Sequence, residues 1–311
     1  MSDLKLFRTT NGSVSEIAGH AVALEKSLQT LIEAHLETFF GIRLLASEYS
    51  TGKKHGGRID TLGLDENNYP VILEYKRTTN ENVINQGLFY LDWLMDHQAE
   101  FRWLVMEQFG KEIANAVEWG SPRLVCVAGD FTRYDVHAVQ QINRNVELVR
   151  YRRFGDELLL LELVNAVTAT GGASDSDTAV APAGKVKGAP AVQYKTVSQY
   201  LAQADTALRD RYERLRLELL AMGDDVQEKT LKFYFAFKRL KNFACVEVHP
   251  QTAQLLVYVK VDPQTVELEE GFTRDVKSTG HFGTGDLEIR IKDDRDLERA
   301  LPLVRLSYDA S

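Results

Sequence analysis

Residues 168–193, TATGGASDSDTAVAPAGKVKGAPAVQ, contain no aromatic residue and no sustained apolar period. A run of small and polar side chains this long cannot bury enough surface to offset the entropy of its own ordering, so it reads as a flexible linker. The 311-residue chain is therefore expected to form two domains of ordinary size, 1–167 and 194–311. No internal repeat relates them.

Hydrophobic residues make up 44% of the chain and charged residues 26%, the balance of a globular protein rather than a disordered or membrane-embedded one. No apolar run approaches the ~20 residues that cross a bilayer. The opening MSDLKLFRTT has no signal-peptide core, so the expected location is the cytoplasm, with no membrane partner. Cys126 and Cys245 are the only two cysteines and lie far apart, which argues against a disulfide framework or a cysteine zinc site. The net charge of −8 is shared by both halves, with 17 basic against 23 acidic residues in 1–165 and 20 against 22 in the remainder. Such a chain does not coat nucleic acid through its overall field, and a polyanion has to be met locally. Small basic clusters occur at Lys53, Lys54 and Arg58, at Arg150, Arg152 and Arg153, and at Lys238, Arg239 and Lys241.

In the first domain, ALEKSLQTLIEAHLETFF places Leu24, Leu28, Leu31, Ile32 and Leu36 on one helical face, and Gly41 ends that helix. IRLLASEYS, RIDTLGLD and PVILEYKR read as three successive strands, followed by one helix over residues 82–106. RLVCVAG, VELVRYR and ELLLLELV add strands, with a helix near residues 134–143 between the first two. The order predicts an α/β core with a mixed sheet flanked by helices. The second domain opens with a charged helix, VSQYLAQADTALRDRYERLRLELLAMG, closed by Gly223. FACVEVHP and QLLVYVKV form a hairpin across PQTA, the Phe233, Phe235, Phe237 alternation reads as one buried strand face, and DLERALPLVRL is a last helix. This is a smaller α+β domain.

The hairpin GGRIDTLGLDENNYPVILEYKR, residues 56–77, is more charged than a strand pair requires. Glu74 and Lys76 share a face, one pleat apart. Asp60 joins them if its register places it opposite Glu74, which requires a loop of odd length, such as three residues with Asn68 left-handed at a bulge. A slip of one residue turns Asp60 away. In the first register two carboxylates and an ammonium converge, either as an ion-paired strand face or as an oxygen site for Mg²⁺ or Mn²⁺. A lysine beside such a site can orient or help deprotonate a water and stabilise charge on a phosphate, the chemistry of metal-assisted phosphodiester hydrolysis.

Asp60 followed by Glu74-Tyr75-Lys76 resembles the D…ExK signature of the PD-(D/E)xK nuclease superfamily, with Ile59 where the superfamily often has proline. More narrowly, ALEKSL, GGRIDTLGLD, PVILEYKR and Gln86-x-x-x-Tyr90 resemble the nuclease domain of NucS-type (DUF91-like) endonucleases. That resemblance implies a restriction-endonuclease-like fold and a metal-dependent endonuclease acting on DNA. It implies Asp60 and Glu74 as metal ligands, Glu25 as the helix-borne acid near the metal, Lys76 as catalytic, and Gln86 and Tyr90 as supports for site or substrate. Glu33 or Glu37 could replace Glu25. Lys53, Lys54, Arg58, Arg77 and Tyr90 are the candidate nucleic-acid contacts. The DNA-binding domain that precedes the nuclease domain in NucS-type enzymes has no counterpart here, so their substrate preference is not carried over. Residues 194–311 resemble the uncharacterised DUF5655 family through KFYFAFKRLKNFACVEV, GHFGTGD and the terminal helix.

GHFGTGD lacks the Gly-Lys-Ser/Thr ending of a phosphate loop and reads as a turn, and neither a Gly-x-Ser-x-Gly elbow nor His-Glu-x-x-His occurs. The rival to a nuclease is a binding module that keeps the nuclease fold without turnover. Its C-terminal domain would then recognise a protein or nucleic-acid partner. A homodimer is possible on either reading.

Overall fold

The computed structural model describes residues 4–20, 25–76, 83–167 and 195–311, without the side chains of Glu25, Lys54 and Val167. The expected linker, 168–193, lies outside the described residues. The chain divides into two compact units, Met1–Ser174 and Asp175–Ser311.

The first unit begins with a hairpin, β1 (Leu6–Thr10) and β2 (Ser13–Ile17), turned by Asn11 and Gly12 at φ of 49° and 79°. Two successive positive φ values are what a two-residue hairpin turn demands, and Asn-Gly supplies them at low cost. There follow β3 (Gly19–His20), α1 (Glu25–Ala34), α2 (Leu36–Phe40), β4 (Ile42–Ser50), α3 (Gly52–His55), β5 (Arg58–Asp65) and β6 (Pro70–Lys76). Next come α4 (Val83–Asp96), α5 (Gln98–Phe109), α6 (Lys111–Asn115), β7 (Arg123–Ala128), α7 (Arg133–Gln140), β8 (Asn145–Phe154) and β9 (Leu158–Val167). Seven strands form one mixed sheet in the order β3-β8-β7-β6-β5-β4, with β9 paired to β8. β4, β5 and β6 run antiparallel, whereas β6, β7 and β8 run parallel. This is the α/β architecture expected from the element order.

One face of the sheet, bearing Leu62, Leu64, Ile72, Leu124, Cys126 and Leu148, packs against Tyr90, Leu91, Trp93 and Leu94 of α4 and Phe101 and Val105 of α5. α1 lies against the opposite face, where Glu33 accepts from Thr61 Oγ1 at 2.6 Å. The single helix expected over 82–106 is two helices. His97 Nδ1 bonds Trp93 O at 2.7 Å, and this side-chain capture of a main-chain carbonyl coincides with the break.

The second unit comprises α8 (Val197–Gln203), α9 (Thr206–Leu220), β10 (Gln227–Thr230), β11 (Phe235–Lys238), β12 (Asn242–His249), β13 (Gln254–Val259), β14 (Thr273–Asp275), β15 (Leu287–Ile291) and α10 (Asp294–Asp309). Its six-stranded antiparallel sheet, β10-β11-β12-β13-β15-β14, packs one face against the three helices. The opening helix, expected to be continuous, is interrupted because Asp205 accepts from Leu208 N at 2.8 Å and caps a new helix. Phe235 and Phe237 are buried in β11, but Phe233 sits in the preceding turn, so the buried alternation is shorter than expected.

Candidate active site on the β5–β6 hairpin

β5 and β6 pair with Thr61 opposite Leu73, Leu62 opposite Ile72, Gly63 opposite Val71 and Leu64 opposite Pro70. Continued by one step, this register sets Asp60 opposite Glu74. The turn explains it: Asp65 N donates to Tyr69 O at 3.0 Å, which leaves three loop residues, the last being Asn68 at φ 61°. Asp65 Oδ1 accepts from the N–H groups of Asn67 and Tyr69, both at 2.9 Å, and so fastens the loop to the strand end.

The two acids grip each other's backbone. Asp60 N donates to Glu74 Oε1 at 3.2 Å, and Tyr75 N donates to Asp60 Oδ2 at 3.0 Å. Glu74 is fully buried, and its Oε2 has no hydrogen-bond partner. Burial, followed by the nearby Asp60 charge, pushes its pKa up to about 9, against the smaller opposing pull of the Asp60 N–H and the Lys76 ammonium. Lys76 is partly buried on the same face, since it lies two residues further along β6. Cys126, paired with Glu74 across β6 and β7, is buried, and burial raises its pKa as well.

The other expected residues fall around this pair. Glu25 opens α1, and its side chain is outside the described set. Gln29, one turn later, donates from Nε2 to Asp60 O at 2.8 Å, so the start of α1 lies at the Asp60 end of β5. Glu33 is occupied on the opposite face by Thr61, Ser47 and Gln29, which removes it as a substitute for Glu25. Glu37 belongs to the next helix, α2. Tyr90, grouped above with nucleic-acid contacts, is 5% exposed, and its hydroxyl accepts from Arg58 N at 3.1 Å and Gln86 Nε2 at 3.3 Å. It braces the start of β5. Arg58 is exposed but ion-paired with Glu48, which also holds Lys26 at 2.6 Å. Lys53 is exposed on α3, beside Lys54; Arg77 lies outside the described residues.

The structural roles of two residues were not visible in the sequence. Gln29 reads there as a polar point on an amphipathic helix. Arg150, aligned with Lys76 through Ala128, is buried and bonded to Asp130 at 3.0 Å and Glu162 at 2.7 Å. It closes the neighbouring strand ends electrostatically, and only the parallel β7–β8 register reveals its place.

Among the described residues no three His, Cys, Asp or Glu side chains gather as a metal site. The Asp60–Glu74 pair nonetheless suits a hard cation that binds through one or two carboxylates and keeps its waters. An unsatisfied buried oxygen and a carboxyl driven neutral by burial and then by the Asp60 charge both call for positive charge at that point.

Residues 197–311 match the family described as "Domain of unknown function (DUF5655)". An uncharacterised protein of Haemophilus influenzae is 27% identical over 313 residues, spanning 97% of this chain and 98% of that protein. Among solved structures, a repair endonuclease from Pyrococcus abyssi is similar at 19% identity over 44% of this chain and 50% of that one, with a TM-score of 0.29. The EndoMS–dsDNA complex is similar at 21% identity over 42% and 46%, with a TM-score of 0.25. The chain thus spans about half the length of these two structures. The second unit carries the DUF5655 domain over 197–311.

Proposed function

We propose that this chain is a metal-dependent endonuclease hydrolysing phosphodiester bonds in DNA, with its site on the β5–β6 hairpin. The observation that carries the reading is the buried Glu74, opposite Asp60 and followed by Lys76 on one strand face. The choice of DNA rests on the resemblance of Asp60 and Glu74-Tyr75-Lys76 to the PD-(D/E)xK pattern.

Asp60 and Glu74 would hold the Mg²⁺ or Mn²⁺, with Glu25 approaching from α1. Such a cation supplies Lewis acidity towards a phosphoryl oxygen and lowers the pKa of a bound water. Glu74 has to give up its proton to act as a ligand. Lys76 supplies hydrogen bonds and positive charge to the attacking water or to a non-bridging phosphate oxygen, where negative charge grows in the transition state. Tyr90 and Gln86 hold the backbone of Arg58, two residues before Asp60. Lys53 and Lys54 on α3 would meet neighbouring phosphates.

The test compares purified wild type, Lys76→Ala and Asp60→Ala on labelled single-stranded, duplex and branched DNA with Mg²⁺ or Mn²⁺, and with EDTA as control. Wild type should cut. Lys76→Ala should bind metal by calorimetry but not cut, and Asp60→Ala should do neither. Equal cleavage by all three would assign the activity elsewhere, and cleavage by none would favour the silent binding module.

A further inference from the structure

The sheet of the second unit has one face under its helices and one without them. Cross-strand pairing fixes what the second face carries. Lys229 pairs with Ala236, Ala236 with Cys245, Cys245 with Tyr258, Tyr258 with Glu288, and Glu288 with Arg274, so one row crosses all six strands. The next row runs Glu247, Leu256, Arg290. Alternation places Lys238, two residues after Ala236, on this face too.

Charge on this face runs opposite to that of the chain. Its accessible cations are Arg274 and Arg290 on the paired strands and Lys232 in the β10–β11 turn, while Lys229 and Lys238 on the same face are buried, as are its two strand acids, Glu247 and Glu288. Glu288 is shared by Arg274 and Arg290, at 2.5 and 2.8 Å, and both guanidiniums remain partly exposed, 48% and 32% by side chain. The chain as a whole is at −8, so a positive face is a local feature.

Aromatic rings lie across the same surface. The loop between β14 and β15 passes over the sheet, and it can lie close because Gly283, at φ 87°, meets Cys245 where any Cβ would clash. His281 of this loop stacks on Tyr258 at 4.4 Å and 16°. Phe282 stacks on Phe233 at 4.3 Å yet stays 45% exposed, and Lys232 Nζ lies 5.2 Å from the centre of the Phe233 ring. His281 Nδ1 bonds Thr279 O at 2.9 Å, and its Nε2 has no partner.

We infer that this face of the second unit binds single-stranded nucleic acid, with Arg274, Arg290 and Lys232 tracking phosphates and Phe282 stacking an unpaired base. Exposed rings and local positive charge on an otherwise acidic chain fit a phosphate backbone whose bases are free to stack, whereas a duplex hides its base faces. The inference is independent of the hairpin chemistry.

Fluorescence anisotropy tests it with the full chain in EDTA, using a labelled oligothymidine of about 16 nucleotides and a duplex of the same length. Wild type should bind the single strand more tightly and lose affinity as salt rises. Phe282→Ala should weaken it about tenfold or more. Lys232→Glu should weaken it and flatten the dependence of log affinity on log salt by about 0.7 or more. Circular dichroism of both exposed-site variants should match that of wild type. The chelator removes metal-dependent turnover from the binding measurement, so a failed cleavage assay and a failed binding assay are separate results. Salt-insensitive binding, equal binding by both variants, or displacement by polyglutamate with no preference for the oligonucleotide would overturn the assignment, the last in favour of an acidic protein partner.

Discussion

Replacing Glu74 by glutamine should stabilise the metal-free protein, and by an amount that depends on pH. Glu74 has a folded-state pKa pushed up to about 9 from an ordinary 4.5. Below pH ~4.5 the group is neutral in both folded and unfolded chains and costs nothing. Between the two values the folded chain holds a proton that the unfolded chain releases, so stability falls as pH rises, at about 1.4 kcal/mol per unit, and the loss saturates above the folded value. The accumulated cost relative to a permanently neutral amide is less than about 1 kcal/mol at pH 5 and roughly 3 kcal/mol at pH 7. Full burial of Glu74 leaves solvent little means of screening it. For a unit of this size the pH 7 figure corresponds to a Tm higher by roughly 6–12 °C. Trp93, Trp103 and Trp119 are the chain's three tryptophans and all lie in the first unit, so tryptophan fluorescence melts in EDTA report that unit alone. The gap between Glu74→Gln and wild type should widen from pH 5 to pH 8, and Mg²⁺ should narrow it by raising only the wild type. A gap independent of pH, or a less stable variant, would refute the reasoning.

Asn68→Val places a β-branched residue at φ 61° and should cost about 1–3 kcal/mol in the tryptophan melt, with Asn68→Gly costing less; equal stability of the two would show that the left-handed turn is not what sets the register. Arg123 lies buried between Asp65 at 2.9 Å and Glu147 at 2.8 Å, so Arg123→Ala strands two buried carboxylates and should destabilise the first unit by about 3–5 kcal/mol in urea. Asp205→Ala removes the α9 cap and should lower the second unit's stability by about 1 kcal/mol, seen by circular dichroism with the tryptophan transition unmoved.

The hairpin was legible because its information is local. Alternation along RIDTLGLD and PVILEYKR, together with a turn rich in Asn and Asp, fixes which side chains share a face. The helix breaks were legible in part. Asp205 offered a capping residue inside a periodic run, but the periodicity on either side masked it. At His97 the interruption coincides with a side-chain bond to Trp93 O that no spacing rule announces. The β1–β2 hairpin carried its Asn11-Gly12 signal openly, yet its strands are almost wholly exposed, so there was no apolar alternation to draw attention to it. What sequence could not show is the arrangement of distant strands. The Asp65–Arg123–Glu147 triad, the Arg150 cluster and the positive face of the second sheet each join residues that only strand order brings together.

Strand order also explains how a buried, proton-holding glutamate can persist in the hairpin. Asp65 takes part in two devices at the far end of β5: its Oδ1 fastens the Asn68 turn, and its Oδ2 binds Arg123, which in turn holds Glu147 of β8. The first device sets β5 against β6, and the second ties β5 to β7 and β8. A slip of one residue in the hairpin would relieve Glu74 by turning Asp60 to the α1 face, but it would also break the turn and leave buried charges unpaired. Those losses amount to several kcal/mol, more than the roughly 3 kcal/mol that Glu74 costs at neutral pH. The strain at one end of the strands is thus maintained by ionic and turn chemistry at the other. Buried ion pairs are weak sources of net stability but strong penalties against misalignment, and here alignment is what brings two carboxylates and a lysine onto one face.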